Sequence, residues 1–385
     1  MASTTKKIWG LSTFNATIKG ITTGIFFFWA IYFASIGFSG LQIGAIFAAQ
    51  EITSLISILP SGFINDRFKS KDLATIGLIM LAAQFIGISY FHTFPMVMMF
   101  AIIGGIGHRL YAISADSIFY KTIEKSQATK RIAVYQSLNY LFIGLGIILS
   151  GQVLQLNVPF ENLIKWGGGL YLVMAGISQA LPRTITTHFD LLKYKSDIFR
   201  PKVLFFLAIV FLFSIHFGAE GTSYGLFLKN TLGLENQWVG LYMGTAIFLM
   251  GFWAILFSRM LEKIQVKTLL FTGLIFSSIG HILMTHPDPV YSWLFRVFHE
   301  AGDAAMFVFF AYGISSMFDK NRIGGNTSIF TFITIIGGTI GSALFGPLGE
   351  KFGYNLPFIA TGGVIFVAFI LALFMNRYIL HHPKD

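Results

Sequence analysis

Twelve runs of mostly apolar residues, each about 20 residues long, dominate this 385-residue chain. They fall near 13–36, 41–62, 73–92, 95–120, 132–154, 163–182, 202–228, 237–258, 267–286, 290–317, 326–346 and 354–376. In lipid every backbone N–H and C=O must find its partner inside the protein, so a run of this length has one simple solution, a spanning helix. The runs are too long and too continuously apolar for barrel strands, which need about 10 alternating residues. The predicted fold class is therefore all-α integral membrane, with twelve transmembrane helices. Only 11% of residues are charged, against roughly 25% in soluble domains. A surface so poor in charge suits a lipid bilayer and would aggregate in water.

The net charge of +10 raises the question of nucleic acid. The basic residues sit in short loops, so membrane topology accounts for them and no nucleic-acid partner is expected. The chain has no cysteine, which excludes disulfides and thiolate metal sites. Lys6 and Lys7 precede the first run without a small-residue cleavage site. The first run is thus expected to stay as a helix, with no removable signal peptide.

With the N-terminus placed in the cytoplasm, the outer loops hold only Lys165, Lys229 and Lys351 among the basic residues. Lys19, Arg109 and Arg296 fall inside helices, and all the remaining Lys and Arg lie inside the cell. Inner loops carry such an excess, so an even number of spans with both ends cytoplasmic is predicted. The compact loops point to a bacterial inner (plasma) membrane.

The longest polar stretch lies at the midpoint. It divides the chain into an N-terminal half, 1–182, a cytoplasmic linker, 183–201, and a C-terminal half, 202–385. The halves align weakly. Gly37 matches Gly233, Gly44 matches Gly240, Asp66 and Arg67 match Glu262 and Lys263, and Lys71 matches Lys267. With a small further shift, His108 matches His299 and Arg131 matches Arg322. Parallel repeats of this kind characterise one large class of transporters.

Gly62, Asp66, Arg67 and Lys71 join the second and third spans. Their spacing resembles the signature loop of the major facilitator superfamily, G-x-x-x-D-R-x-G-R-[RK]. Lys69 stands where the second glycine is usual and Ser70 where a base is usual. The helix number, the midpoint linker and the degenerate second copy extend the resemblance over the whole chain. It implies two parallel-related six-helix bundles around a central cavity lined mainly by helices 1, 4, 7 and 10. The bundles rock so that the cavity opens to each side in turn. It also implies that Gly62, Asp66, Arg67 and Lys71 form a conformational latch, with Glu262 and Lys263 as the second copy. An acid at the inner end of helix 4, Asp116 or Glu124, joins the latch in that comparison.

Ionisable residues within spans are costly, by at least about 2.5–3.5 kcal/mol at the bilayer centre, and mark functional sites by default. Here they include Lys19, Glu51, His108, Arg109, Asp116, His216, Glu220, Arg296, His299, Glu300 and Asp303. In helix 10, Arg296, His299, Glu300 and Asp303 follow the i, i+3, i+4, i+7 spacing that puts all four on one face. Arg296 can then pair with Glu300, and His299 with Asp303. On helix 7, His216, Glu220 and Tyr224 share a face. Lys19 and Asp116 lie at similar depths, where they can pair. A carboxylate in a semi-dry cavity holds its proton more tightly, and a nearby cation loosens it. Glu220, Glu300 and Asp303 are accordingly the expected proton-coupling acids, with His216 and His299 as relays. Lys19, Arg109, Arg296 and Tyr224 are the expected substrate-binding residues. The competing reading is that these charges only pair with one another and hold helices in register.

No His or carboxylate spacing along the chain suggests a metal, and no catalytic residues are expected. Gly167, Gly168 and Gly169 lack the following Lys-Ser/Thr of a phosphate loop. The expected function is proton-coupled symport of a small polar or anionic organic solute by alternating access. No cofactor is expected beyond the proton gradient, and the working unit is expected to be a monomer in the bilayer. The alternatives are proton-driven efflux of amphipathic compounds and a non-transporting sensor. Helix 5, Gly144 to Gly151, lacks the proline of exporters in this family, and the short tails leave little room for a sensor domain.

Overall fold

The computed structural model describes residues 2–123, 128–183, 198–260, 264–318 and 323–375. Among them there are helices and no strands. In chain order the helices are α1 (Ala2–Phe26), α2 (Trp29–Ser35), α3 (Gly40–Arg67), α4 (Ser70–Tyr90), α5 (Phe94–Thr122), α6 (Ala128–Gln155) and α7 (Phe160–Ser178). After the midpoint come α8 (Pro201–Ala219), α9 (Asn236–Met260), α10 (Val266–Leu283), α11 (Pro289–Met317), α12 (Ile323–Phe352) and α13 (Asn355–Phe374). Helices α1 and α2 are one span broken at Phe27 and Phe28, so the thirteen helices make the twelve spans read from the sequence.

Ten of these spans meet a simple length-and-apolarity test for crossing a membrane. The other two, α7 and α11, are as long but more polar. Helix α11 falls short because it carries Arg296, Glu300 and Asp303. Its polarity is therefore a property of the site it holds. Large apolar side chains such as Ile56, Leu149, Val173 and Phe366 are exposed, which suits a protein surrounded by lipid.

The described helices cluster into two compact units. One comprises 1–131, 142–189 and 235–244; the other comprises 132–141, 190–234 and 245–385. The boundaries cut across α6 and α9 as well as the polar midpoint. In the first unit α4 packs on α5 and α7, and α3 packs on α5. In the second, α10 packs on α11 and α13, and α8 packs on α12 and α13. The second unit's apolar core is built from Phe205, Phe206, Val210 and Phe213 of α8, Leu270 and Leu274 of α10, Ala305 and Phe309 of α11 and Ile365 of α13. Lipid tails are as apolar as these side chains, so close van der Waals packing rather than exclusion of water holds such helices together.

The internal repeat has a backbone counterpart. Gly37 and Gly233, aligned in the sequence, both adopt positive φ, 90° and 68°. Each follows a span and turns the chain into the next, a conformation open to glycine and strained for other residues.

The start of α11 is fixed locally. Asp288 caps it, accepting from the backbone N–H groups of Val290 and Tyr291 at 2.8 and 3.1 Å, and Pro289 occupies the first turn. Both features are favourable there because the first N–H groups have no helical partner.

Candidate functional site

Three helices of the second unit converge on one buried polar cluster. Helix α8 supplies His216. Its regular turns end at Ala219, and the backbone continues as a π-helical turn over Glu220–Tyr224. Such widened turns occur mostly as local bulges at functional sites. Here the bulge presents Glu220 and Tyr224. Helix α11 supplies Arg296, His299, Glu300 and Asp303 from one face, and α10 supplies Ser277 and His281.

Two glycines set the α10–α11 spacing. A methyl group on Gly280 would stand 2.6 Å from the backbone nitrogen of His299, and one on Gly302 would overlap the backbone of Ser277. No larger residue fits without parting the helices, and the close approach is what lets side chains of α10 reach those of α11.

The resulting network is continuous. Arg296 donates through Nη1 to Glu220 and lies 2.6 Å, through Nη2, from Glu300. Its guanidinium also sits over the Tyr224 ring, 4.7 Å from the centroid. Glu220 Oε1 lies 3.3 Å from His299 Nε2 and 3.7 Å from His281 Nδ1. His299 Nε2 is 3.3 Å from His281 Nδ1 and 3.5 Å from Asp303 Oδ2. His216 Nε2 is 3.2 Å from the same Asp303 oxygen. Ser277 closes the circuit, its hydroxyl donating to Asp303 Oδ1 at 2.7 Å. Arg296, Glu300, Asp303 and the three histidines are at most 3% exposed.

The outer faces of two histidines fix their tautomers. His216 Nδ1 meets the Phe213 carbonyl, and His299 Nδ1 meets the Ser277 carbonyl at 2.8 Å. A carbonyl oxygen only accepts, so both Nδ1 atoms carry hydrogen. Both Nε2 atoms therefore turn a lone pair toward carboxylate oxygens unless a further proton or another cation stands between them. Counting charges gives the same answer. With neutral imidazoles, Arg296 leaves two of the three acids uncompensated. A buried cluster in this state is expensive.

The ligand atoms of His216, His299 and Asp303, and those of Glu220, His281 and His299, lie within 4.8 Å of one another. Either set could hold a metal ion. The linear spacing of these residues gave no sign of this, because the donors come from three helices.

The structure thus brings together His216, Glu220, Tyr224, Arg296, His299, Glu300 and Asp303. The i, i+4 pairs within α11 are present. The cross-helix pairs, Glu220 with Arg296 and His216 with Asp303, were not foreseeable from spacing. Sequence reading missed His281 and Ser277. The signal for His281 was available, since an ionisable residue inside the ninth span is a site candidate by default.

The first unit holds a second, looser group. Lys19 on α1, Glu51 on α3, and His108, Arg109 and Asp116 on α5 are close enough to interact electrostatically. Lys19 feels Asp116 and Arg109, and Arg109 feels Glu51 and Asp116. Lys19, Glu51 and Arg109 make no hydrogen bond and no ion pair within 4 Å with a described residue. Arg109 is 8% exposed and its Nε is buried without a partner. Arg296 shares an unpartnered Nε, but two acids hold its Nη atoms.

Of the residues expected to form a latch, Gly62, Asp66 and Arg67 lie in the last two turns of α3, and Lys71 lies in the first turn of α4, where its Nζ donates to the Gln179 carbonyl at 2.9 Å. Asp116 lies near the end of α5. Glu262, Lys263 and Glu124, and most of the linker, lie outside the described residues.

The family model of the Major Facilitator Superfamily matches residues 10–280 and 206–384. The chain belongs to the major facilitator superfamily. Its fold agrees with solved members. It resembles the crystal structure of the nucleoside transporter NupG with a TM-score of 0.77, at 12% identity, over 96% of this chain and 99% of that one. It resembles the human organic anion transporter MFSD10 (TETRAN) with a TM-score of 0.67, again at 12% identity, over 95% and 99%. Both likenesses establish the two-bundle, twelve-helix fold. In sequence it is 26% identical over 156 residues to the uncharacterized MFS-type transporter YxaM of Bacillus subtilis (strain 168). That stretch is 39% of this chain and 38% of the relative. The chain is therefore a multi-pass membrane transporter of this superfamily, and not an enzyme.

Proposed function

We propose that this secondary transporter carries a small polar or anionic organic solute in symport with protons. The observation that carries the reading is the charge imbalance in the second unit. One arginine faces three carboxylates, and two imidazole lone pairs face carboxylate oxygens. Two protons taken up by this network would neutralise it. A site that must take up positive charge to be stable in a dry setting, and give it up when wetted, can couple a proton to a conformational change. Glu220, Glu300 and Asp303 are the coupling acids in this account, with His216 and His299 relaying.

Arg109 and Lys19 receive the anionic group of the solute. A nearly buried guanidinium whose Nε has no hydrogen-bond partner among the described residues is costly, and a carboxylate or similar anion would satisfy it. Arg296 and Tyr224, held in the network, orient the solute less directly. Gly62, Asp66, Arg67, Lys71 and Asp116 act as the latch between conformations. The transporter works as a monomer in the bacterial inner membrane, both termini in the cytoplasm.

Purified protein in liposomes, loaded with a pH-sensitive dye and challenged with pools of metabolites, tests this. Internal acidification on adding an anionic or zwitterionic pool is the expected result. Internal alkalinisation on adding amphipathic cations, with no acidification from any anionic or zwitterionic pool, would replace symport by efflux.

A further inference from the structure

We propose that His216, His299 and Asp303 form a binding site for one divalent transition-metal ion, with Zn²⁺ the best fit. The proposal shares side chains with the coupling reading, the ion standing in for the two protons of that account, and it rests first on geometry. His216 Nε2 and His299 Nε2 lie 3.2 and 3.5 Å from one oxygen of Asp303, and all three donor atoms lie within 4.8 Å of each other. Metal–ligand bonds of about 2.0–2.1 Å in a tetrahedron require donors roughly 3.3–3.4 Å apart. The two edges to Asp303 bracket that value, and the third, between the two Nε2 atoms, is at most 4.8 Å.

The outer atoms of the three side chains complete the argument. A metal-bound histidine almost always donates its second ring N–H to a carbonyl or carboxylate, which fixes its tautomer and aims its lone pair. Both histidines do so, to the Phe213 and Ser277 carbonyls. The second oxygen of Asp303 accepts from the Ser277 hydroxyl at 2.7 Å. Each of the three donors is thus aimed by a bond made on its far side. Glu220 Oε1 and His281 Nδ1, each 3.3 Å from His299 Nε2, are the donors at hand for a fourth position.

Two imidazoles and a carboxylate select Zn²⁺, Co²⁺ or Ni²⁺ over Mg²⁺ and Ca²⁺, which need oxygen ligands in larger number. Charge agrees with the ligand chemistry. The cluster is short of two positive charges when its imidazoles are neutral, and a single divalent ion supplies both. The ion would tie α8 to α11, and so hold one arrangement of the second unit.

The test uses the detergent-purified full chain with Co²⁺ and Zn²⁺ alone, without solute or gradient, so that its outcome is separate from that of the proton assay. Equilibrium dialysis with elemental analysis should find one ion per chain, and bound Co²⁺ should give the intense visible absorption of a four-coordinate nitrogen–oxygen site. His216→Gln, His299→Gln and Asp303→Asn should each abolish that absorption. Ser277→Ala, which keeps all three donors, should weaken binding about 10–100-fold. His286→Gln, an exposed histidine outside the cluster, should change nothing. Retention of one ion per chain in the three ligand variants, equal binding of Mg²⁺, or no Co²⁺ bound by the wild-type protein would each overturn the proposal. If a ligand variant does not yield folded protein, the Ser277→Ala and His286→Gln pair still decides, because equal affinities in the two contradict the site.

Discussion

Replacing Arg296 by methionine removes the only permanently charged cation that the described residues place in the second unit's cluster. Two acids depend on it directly, Glu300 at 2.6 Å and Glu220 through a hydrogen bond. Removing one partner of a buried ion pair costs about 3–5 kcal/mol, since the other charge is left without compensation. Arg296→Met should therefore destabilise the fold by about that amount. Glu220→Gln keeps a hydrogen-bonding side chain and leaves Arg296 its second acid, so it should cost about 1–3 kcal/mol. In the double variant one stranded charge has gone, and the sum of the single costs should exceed the measured cost by roughly 1–3 kcal/mol. Reversible unfolding in mixed micelles, followed by far-ultraviolet circular dichroism, gives the three values. Costs that add to within about 0.5 kcal/mol would refute the shared network, and with it the charge imbalance on which the coupling argument rests.

Gly302→Ala adds one methyl group against the Ser277 backbone; it should cost about 1–3 kcal/mol and abolish coupled uptake, whereas Gly363→Ala, which meets open space, should be neutral in both assays. Arg109→Gln should raise the KM for the solute at least tenfold while the proton-to-solute ratio stays constant, since Arg109 lies outside the coupling cluster; a changed ratio with unchanged KM would reverse the two assignments. The chain has no cysteine, so single introductions report topology cleanly. Lys69→Cys should react with an impermeant maleimide only in inside-out vesicles and His92→Cys only in intact cells, and the opposite pattern would invert the orientation.

The fold was legible because lipid imposes one rule on every span. Long apolar runs and the paired glycines 37 and 233 each follow from local chemistry, and the two glycines have positive φ in both halves. The α11 face was legible for a similar reason. Helical spacing alone places Arg296 beside Glu300. What spacing does not carry is the partner on another helix. Glu220 looked like a neighbour of His216, one turn away. The π turn beginning at Glu220 and the narrow α10–α11 contact bring it instead to Arg296 and His299. His281 and Ser277 became part of the site only through the glycine contacts that press α10 on α11. The same convergence of separate helices explains why the metal-ligand set was invisible along the chain. His299 and Asp303 stand one turn apart on α11, but His216 comes from α8, and no linear motif joins it to them.

The most direct test of the central claim separates movement of solute from its coupling. Glu300→Gln removes a network acid that is outside the proposed metal triad and contacts Arg296. In liposomes, the variant should still exchange labelled for unlabelled solute across the membrane, at a rate within a fewfold of wild type. It should no longer accumulate solute against a gradient when the outside is made acidic. Uphill accumulation equal to wild type in Glu300→Gln would contradict the account, and would leave the buried cluster of α8, α10 and α11 as a structural ion-pair network.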